Sequence, residues 1–125
     1  MVDVSGKWAL ITGASRGIGK LTAQFMADRG CNLILHSRSN EHARALADEL
    51  KSRGVGVSCV SAELSQHEDV VEMFVGSDSE GLPVDIVFNN AAVQIAYRTD
   101  YWKTPVEDFE LSFRINTIAV ATICY

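Results

Sequence analysis

Four short apolar runs alternate with amphipathic segments along this chain, and that alternation restricts its fold more than any other feature. The runs span residues 7–12, 31–37, 55–64 and 82–92. Each run has the length of a strand and is apolar enough to be covered on both faces, as strands of parallel sheets are. Strands joined by right-handed helical crossovers predict an α/β fold with a doubly wound parallel sheet, and we expect the strand order 3-2-1-4.

The first two intervening segments show helical periodicity. For residues 17–30, the apolar stripe predicted to face the core consists of Ile18, Leu21, Phe25 and Met26. Residues 40–54 predict a second helix with Asn40 as its N-cap. The stripe of this second helix consists of Ala43, Leu46, Ala47 and Leu50.

Two further helix starts follow. Ser65 and Glu68 match the S-x-x-E capping box and predict a third helix. Its apolar stripe consists of Val70, Val71, Phe74 and Val75. A fourth helix is predicted where Thr104, Pro105 and Glu107 lie together, because proline at the first turn lacks only an N–H that has no helical partner.

Composition excludes several classes of partner. The 125 residues carry a net charge of −5, and the 11 basic residues are scattered singly, so we expect no nucleic acid partner. No segment approaches membrane-spanning length, and the N-terminus lacks the pattern of a secretory signal. The cysteines Cys31, Cys59 and Cys124 form no C-x-x-C pair, which indicates reduced thiols of a cytoplasmic protein and no metal site.

Three glycines lie where the first strand meets the first helix, in the sequence TGASRGIG of residues 12–19. A turn at this place gathers backbone N–H groups and the positive end of a helix dipole, which together attract phosphate. Side chains at Gly13 and Gly17 would block a pyrophosphate, and one at Gly19 would hold the helix off the sheet. A turn that merely connects strand and helix is the alternative. A P-loop is excluded, since Ala14 and Leu21 stand where it requires glycine and a hydroxyl.

The spacing G-x-x-x-G-x-G resembles that of the short-chain dehydrogenase/reductase family. Asn89 to Ala92, NNAA, is similar to that family's N-N-A-G motif, and Asn116 in FRINTIAV is similar to its helix asparagine. The resemblance covers the whole chain and implies a Rossmann-type fold. Together, the glycine turn and the resemblance predict a cofactor site formed by Gly13, Ser15, Arg16, Gly17, Ile18, Gly19, Ser37, Arg38, Glu63, Leu64, Asn90, Ala91 and Ala92. Asn89 is interpreted as a structural asparagine that ties the fourth strand to its neighbour.

The end of the second strand predicts which dinucleotide is bound. Dinucleotide sites that prefer NAD place an acid there to accept the hydrogen bonds of the adenosine ribose. This chain has Arg38 instead, and a guanidinium pairs with a 2'-phosphate. Arg16 and Ser37 are expected to contact the same phosphate, so NADP is the predicted cofactor. Ordinary solvated surface arginines are the alternative.

The resemblance also implies a chemistry. The family transfers a hydride between a nicotinamide and a carbonyl or alcohol carbon, with a serine, a tyrosine and a lysine four residues after the tyrosine. Asn116 falls on a predicted stripe with Phe109, Phe113 and Val120, so its amide is expected to point at the sheet. By resemblance it anchors a water in a proton relay. No Y-x-x-x-K pair occurs in the chain, and the resemblance implies that the serine, tyrosine and lysine lie beyond residue 125.

We therefore expect residues 1–125 to be the NADP-binding, N-terminal half of a longer reductase. An apolar edge strand and a last helix that is apolar all round both favour burial against more protein. The expected partners are a small carbonyl or alcohol substrate and, by resemblance, further copies of the chain. A catalytically silent NADP(H)-binding half-domain is the alternative function. A methyltransferase is disfavoured because it needs an acid where Arg38 stands.

Overall fold

A computed structural model of the chain describes residues 2–74, 81, 83–96 and 100–124. The strands are β1 (Trp8–Ile11), β2 (Asn32–Ser37), β3 (Val57–Ser61) and β4 (Ile86–Phe88). The longer helices are α1 (Gly17–Ala27), α2 (Asn40–Lys51), α3 (His67–Glu72), α4 (Val106–Phe113) and α5 (Ala119–Cys124). A short 3-10 helix spans Tyr101–Lys103, and a π-helical turn, Arg114–Ile118, joins α4 to α5.

All strand pairs are parallel, and the sheet order is β3-β2-β1-β4, which confirms the predicted fold class and strand order. Alternate residues of the central strands enter two separate cores. Ala9 and Ile11 face a core that also contains buried residues of α1 and α2. Leu10 and Ile34 face a second core, to which α3 and α5 contribute. Both faces of β1 and β2 are thus covered, which explains their uninterrupted apolar sequence.

The predicted stripe of α1 is wrong. Ile18, Leu21 and Phe25 are 69%, 65% and 56% exposed. The buried face of α1 instead consists of Gly19, Ala23 and Ala27. Only small side chains fit on this face because α1 lies close to the glycine turn, which Gly19 contacts. The larger apolar residues lie on the exposed side of the helix. Of the predicted stripe, only Met26 packs against the core.

The other helices vary in how well they match the sequence. The stripe of α2 is confirmed, since Ala43, Leu46, Ala47 and Leu50 are all buried. Its N-cap is Ser39, one residue before the predicted Asn40. The capping box is wrong: α3 begins at His67, and the Ser65 hydroxyl donates to the Glu63 carboxylate at 3.1 Å. Val75, predicted in the third stripe, lies outside the described residues.

The π-helical turn changes the predicted fourth stripe. A π turn contains more residues than an α turn, so the residues after it rotate away from the 3.6-residue register. Phe109 and Phe113 lie in α4, before this turn, and are already 39% and 59% exposed, so the stripe also fails ahead of the change in register. Asn116 lies inside the π-helical turn and is also exposed, so the expectation of a buried amide pointing at the sheet is wrong.

Candidate functional site

A cleft of about 770 Å³ lies at the carboxyl ends of the strands. It collects segments that are far apart in sequence: the glycine turn after β1, the end of β2, the residues after β3 and the residues after β4. The predicted site residues that line it are Gly13, Ser15, Arg16, Gly17, Ser37, Arg38, Glu63, Leu64, Asn90, Ala91 and Ala92. Clefts of this kind, outside the carboxyl ends of parallel strands, are where doubly wound folds bind ligands.

Two predicted cofactor residues, Ile18 and Gly19, do not line the cleft. The side chain of Ile18 points to solvent on α1. Gly19 faces the opposite way, into the packing between α1 and the strands: a Cβ there would collide with the Gly13 carbonyl oxygen and approach Asn90 Nδ2 to 2.7 Å. Gly19 therefore sets how closely α1 approaches the sheet.

The other two glycines have different reasons to be glycine. Both adopt left-handed backbone conformations, with φ of +63° at Gly13 and +59° at Gly17, which L side chains rarely adopt. A Cβ at Gly13 would meet Ala91 Cα at 3.1 Å, whereas none of the described atoms lies within 4 Å of a Cβ at Gly17. The turn thus leaves an open cradle beside Gly17. A cradle of this shape at the start of α1 fits a pyrophosphate.

Thr12 and Asn90 hold the glycine turn to the end of β4. The Thr12 hydroxyl accepts the N–H groups of Asn90 at 3.0 Å and of Ala91 at 2.9 Å. In return, Asn90 Nδ2 donates to the carbonyl oxygens of Thr12 and Gly13, both at 3.2 Å. Asn90 and Ala91, predicted from the resemblance, are therefore fixed in the wall of the cleft by a buried threonine that the sequence analysis did not single out.

His36 is a second residue that the sequence analysis missed. It is 2% exposed near the end of β2 and also lines the cleft. Its Nδ1 accepts the N–H of Gly13 at 3.1 Å, and its Nε2 lies 3.0 Å from the carbonyl oxygen of Ala62. Burial lowers the pKa of His36, against smaller opposing effects of the Ala62 carbonyl and Glu63. Because β2 is apolar on both faces, periodicity gave no reason to mark a histidine there.

The amide groups available to a phosphate are fewer than the sequence suggested. The imidazole ring of His36 accepts the N–H of Gly13, and the carbonyl oxygen of His36 accepts the N–H of Ala14 at 2.9 Å. Any backbone donors to an anion must therefore come from later residues of the turn.

Positively charged side chains outnumber negatively charged ones in the part of the cleft that lies near the end of β2. Arg16 and Arg38 line it, and both are exposed. Among the described residues, Glu63 supplies the only carboxylate in the lining, and it accepts the Ser65 hydroxyl. The Ser37 hydroxyl donates to the Ser39 carbonyl at 2.5 Å. Ser37 thus lines the cleft with its hydroxyl directed at a backbone carbonyl, and its contact with a phosphate stays a prediction.

Asn116 does not line the cleft, but it holds a segment that does. Its Oδ1 accepts the N–H of Val93 at 2.9 Å, and its Nδ2 donates to the Val93 carbonyl at 2.8 Å. Val93 and Ile115, neither of them predicted, both line the cleft. Asn89 donates through Nδ2 to the Cys124 thiol at 3.3 Å, which links the end of β4 to α5.

Ala92 stands where the resembled motif has glycine. Among the described residues, only glycines have positive φ, so the backbone at Ala92 is one that any residue adopts. His42 of α2 also lines the cleft beside Arg38. The described ranges contain no cluster of three or more residues suited to hold a metal ion, and no helix among them has the length and hydropathy to cross a membrane.

Comparison with known proteins adds three findings. A family model described as short chain dehydrogenase matches residues 7–125. A tetrahydroxynaphthalene reductase of Pyricularia oryzae is 36% identical over 92% of this chain and 40% of its own length. A very-long-chain 3-oxoacyl-CoA reductase of Anas platyrhynchos is 32% identical over 95% of this chain and 38% of its own length.

Solved structures resemble the chain in the same way. A short-chain dehydrogenase from Sphingobium yanoikuyae, in complex with NADPH, superimposes with a TM-score of 0.81 and 31% identity, over 94% of this chain and 45% of that one. The chain spans about two fifths of the length of the curated relatives it matches.

Proposed function

We propose, on the premise that the chain belongs to the short chain dehydrogenase family, that its cleft binds NADP(H) for an oxidoreductase acting on a carbonyl or alcohol carbon. We further propose that residues 1–125 are the NADP-binding, Rossmann-type, N-terminal half of a longer reductase, whose serine, tyrosine and lysine lie beyond residue 125. Supporting this, the relatives it matches are more than twice as long as the matched part.

The observation that carries the proposal is the charge at the end of β2. Arg16 from the glycine turn and Arg38 after β2 both line one cleft. A carboxylate at the place of Arg38 would repel a 2'-phosphate, whereas guanidinium groups form charge-assisted hydrogen bonds with it. Glu63 is the only carboxylate among the described lining residues, and the two guanidinium groups outnumber it. The arrangement favours NADP(H) over NAD(H).

The residues present fit a dinucleotide. The open cradle beside Gly17 suits a pyrophosphate, and the backbone around Asn90 and Ala91 forms a wall suited to a ribose. When bound, the nicotinamide supplies or accepts a hydride. The residues of this chain bind and orient the dinucleotide; Asn116 positions Val93 in the wall of the cleft and, by resemblance, helps to anchor a water for proton transfer.

The partners follow from the same proposal. The substrate is a small carbonyl or alcohol compound. Among the described residues, α4 exposes Val106, Leu111 and Phe113, which supports a homo-oligomer that buries this helix. The cysteines Cys31, Cys59 and Cys124 form no disulfide with one another, which supports a cytoplasmic location. Neither nucleic acid nor a membrane is a proposed partner, given the net charge of −5.

A second candidate function is a catalytically silent NADP(H)-binding half-domain. The chain favours it in one respect, because none of its tyrosines is followed four residues later by lysine. Both functions require the same cofactor site, and they differ in turnover. Oxidation of NADPH with a panel of ketones, measured at 340 nm on the longest product of the coding sequence, separates them.

The cofactor assignment is tested by calorimetric titration of the 125-residue chain with NADP+, NAD+ and S-adenosylmethionine. We expect NADP+ to bind at least tenfold more tightly than NAD+, with about tenfold lost for each guanidinium removed in Arg16→Ala and Arg38→Ala. Arg44→Ala, on the exposed face of α2, is the matched control and should leave the preference intact. Equal affinity for NAD+, or an unchanged preference in the double variant, contradicts the assignment; binding of S-adenosylmethionine alone would favour a methyltransferase.

A further inference from the structure

His36 connects two walls of the cleft through one imidazole ring. On one side, Nδ1 accepts the Gly13 N–H at 3.1 Å, in the glycine turn. On the other side, Nε2 lies 3.0 Å from the carbonyl oxygen of Ala62, the residue directly before Glu63 and Leu64 of the opposite wall. The His36 carbonyl adds a third tie by accepting the Ala14 N–H at 2.9 Å.

These partners fix the proton of the ring. The Ala62 carbonyl oxygen can only accept, so Nε2 must carry a hydrogen. The Gly13 N–H can only donate, so Nδ1 must present its lone pair. Only the neutral tautomer with hydrogen on Nε2 satisfies both. The imidazolium would direct an N–H at the Gly13 N–H, and both groups would be left without an acceptor in a buried place.

We propose that His36 is a positioning residue: in its neutral tautomer it holds the glycine turn and the wall after β3 in the relative positions that bind the dinucleotide. The claim that this arrangement serves a dinucleotide rests on the proposed function. Protonation of His36 releases the Gly13 N–H, so the glycine turn loses this one of its holds and cofactor affinity falls in acid. Nothing in the reaction requires the ring to touch cofactor or substrate.

Other charges also act on this ring. Those lining the same cleft are Arg16 of the glycine turn, Arg38 after β2, His42 of α2 and Glu63 after β3. Glu63 favours the imidazolium, whereas desolvation opposes it more strongly. The 2'-phosphate of NADP also titrates near pH 6, so the pH dependence of affinity by itself does not isolate His36.

Three variants separate the two hydrogen bonds. In His36→Asn, the side-chain oxygen takes the place of Nδ1 and still accepts the Gly13 N–H, while the bond to Ala62 and the titration are lost. In His36→Gln, the amide nitrogen reaches toward Ala62 and the acceptor for Gly13 is lost. His36→Leu loses both. His67→Asn, an exposed histidine of α3 outside the cleft, is the matched control.

The first measurement needs no cofactor. Nitrogen-15 shifts of the wild-type imidazole at pH 7.5 should show hydrogen on Nε2 alone. The Gly13 amide should exchange slowly in the wild type, His36→Asn and His67→Asn, and at least tenfold faster in His36→Gln and His36→Leu. Hydrogen on Nδ1, or equal protection of Gly13 in all variants, overturns the proposal.

The second measurement is NADP+ affinity between pH 5 and pH 8, by calorimetry. At pH 7.5, His36→Leu should bind about tenfold more weakly, and His36→Asn within about threefold of the wild type. The ratio of wild-type to His36→Asn dissociation constants should be constant near pH 8 and rise in acid, approaching tenfold per pH unit. A flat ratio, or His36→Asn as weak as His36→Leu, overturns the positioning role. If the Gly13 amide behaves as expected but no variant binds NADP+, the proposed function fails and the hold on the turn stands.

Discussion

Replacing Gly19 by alanine should destabilise the chain more than the same replacement at Gly17, although both residues lie in one turn. A Cβ at Gly19 would collide with the Gly13 carbonyl oxygen and lie 3.0 Å from its carbon. It would also approach Asn90 Nδ2 to 2.7 Å. Backbone atoms cannot rotate aside as a flexible side chain does, so α1 must move away from the sheet.

The magnitude follows from opposing effects. Overpacking a tight site costs about 1–3 kcal/mol and occasionally more, and a backbone obstacle favours the upper part of this range. Alanine is better than glycine inside a helix by up to about 1 kcal/mol, which offsets part of the cost. We expect Gly19→Ala to lose about 2 kcal/mol of unfolding free energy. At Gly17 the described residues present no obstacle within 4 Å, and the cost is mainly that of a left-handed φ, about 1 kcal/mol.

The assay is urea unfolding of each variant, followed by circular dichroism and tryptophan fluorescence. Coincident transitions by the two probes would justify a two-state free energy, and unchanged m-values would show that the variants expose similar surface. Gly19→Ala should fall below Gly17→Ala by about 1 kcal/mol. If Gly19→Ala were as stable as Gly17→Ala, or more stable, α1 would not be seated on the Gly13 carbonyl as described.

Two further predictions concern buried polar groups. Thr12→Val should lose about 1–3 kcal/mol of unfolding free energy in the same urea assay, because it leaves the Ala91 N–H without its acceptor. Thr12→Ser keeps the oxygen and should lose about 1 kcal/mol or less. Equal losses in the two variants would show that the hydroxyl is not the cause. The pKa of His36 is lowered by folding, so the unfolded chain binds the proton first as the pH falls below about 6.5. The stability that this group contributes is therefore constant above that pH and lost in acid. His36→Asn should remove this part of the pH dependence of the unfolding free energy, measured at pH 7.5, 6.5 and 5.5. The same pH dependence in the wild type and in His36→Asn would contradict the prediction.

Local pattern was sufficient for much of the fold. The alternation of apolar runs with helical periodicity predicted four parallel strands in the order that the structure has. The stripe of α2 was also predicted correctly, because Leu46 and Leu50 are large apolar residues among polar ones and burial follows hydrophobicity there. Most of the cleft was found as well, since the glycine turn and the NNAA segment are short contiguous motifs at strand ends.

The same reasoning failed where close packing decides. On α1, hydrophobicity predicted that Leu21 and Phe25 would be buried. The short distance between helix and turn admits only small residues on the buried face, and that distance is set by the assembled fold. After α4, the π-helical turn changes the register, and nothing in the local sequence marks it. His36 was missed because its partners, Gly13 and Ala62, lie 23 and 26 residues away.

By itself, then, the sequence determined the order of strands and helices, the glycine turn and the two arginines, because each depends on residues near one another along the chain. Only the tertiary structure decided which face of α1 is buried. It also decided that His36 and Thr12 hold the glycine turn and that Asn116 forms hydrogen bonds with Val93. Those features depend on distances between segments that meet only after the sheet has formed, and such distances are set by the packing of the whole fold.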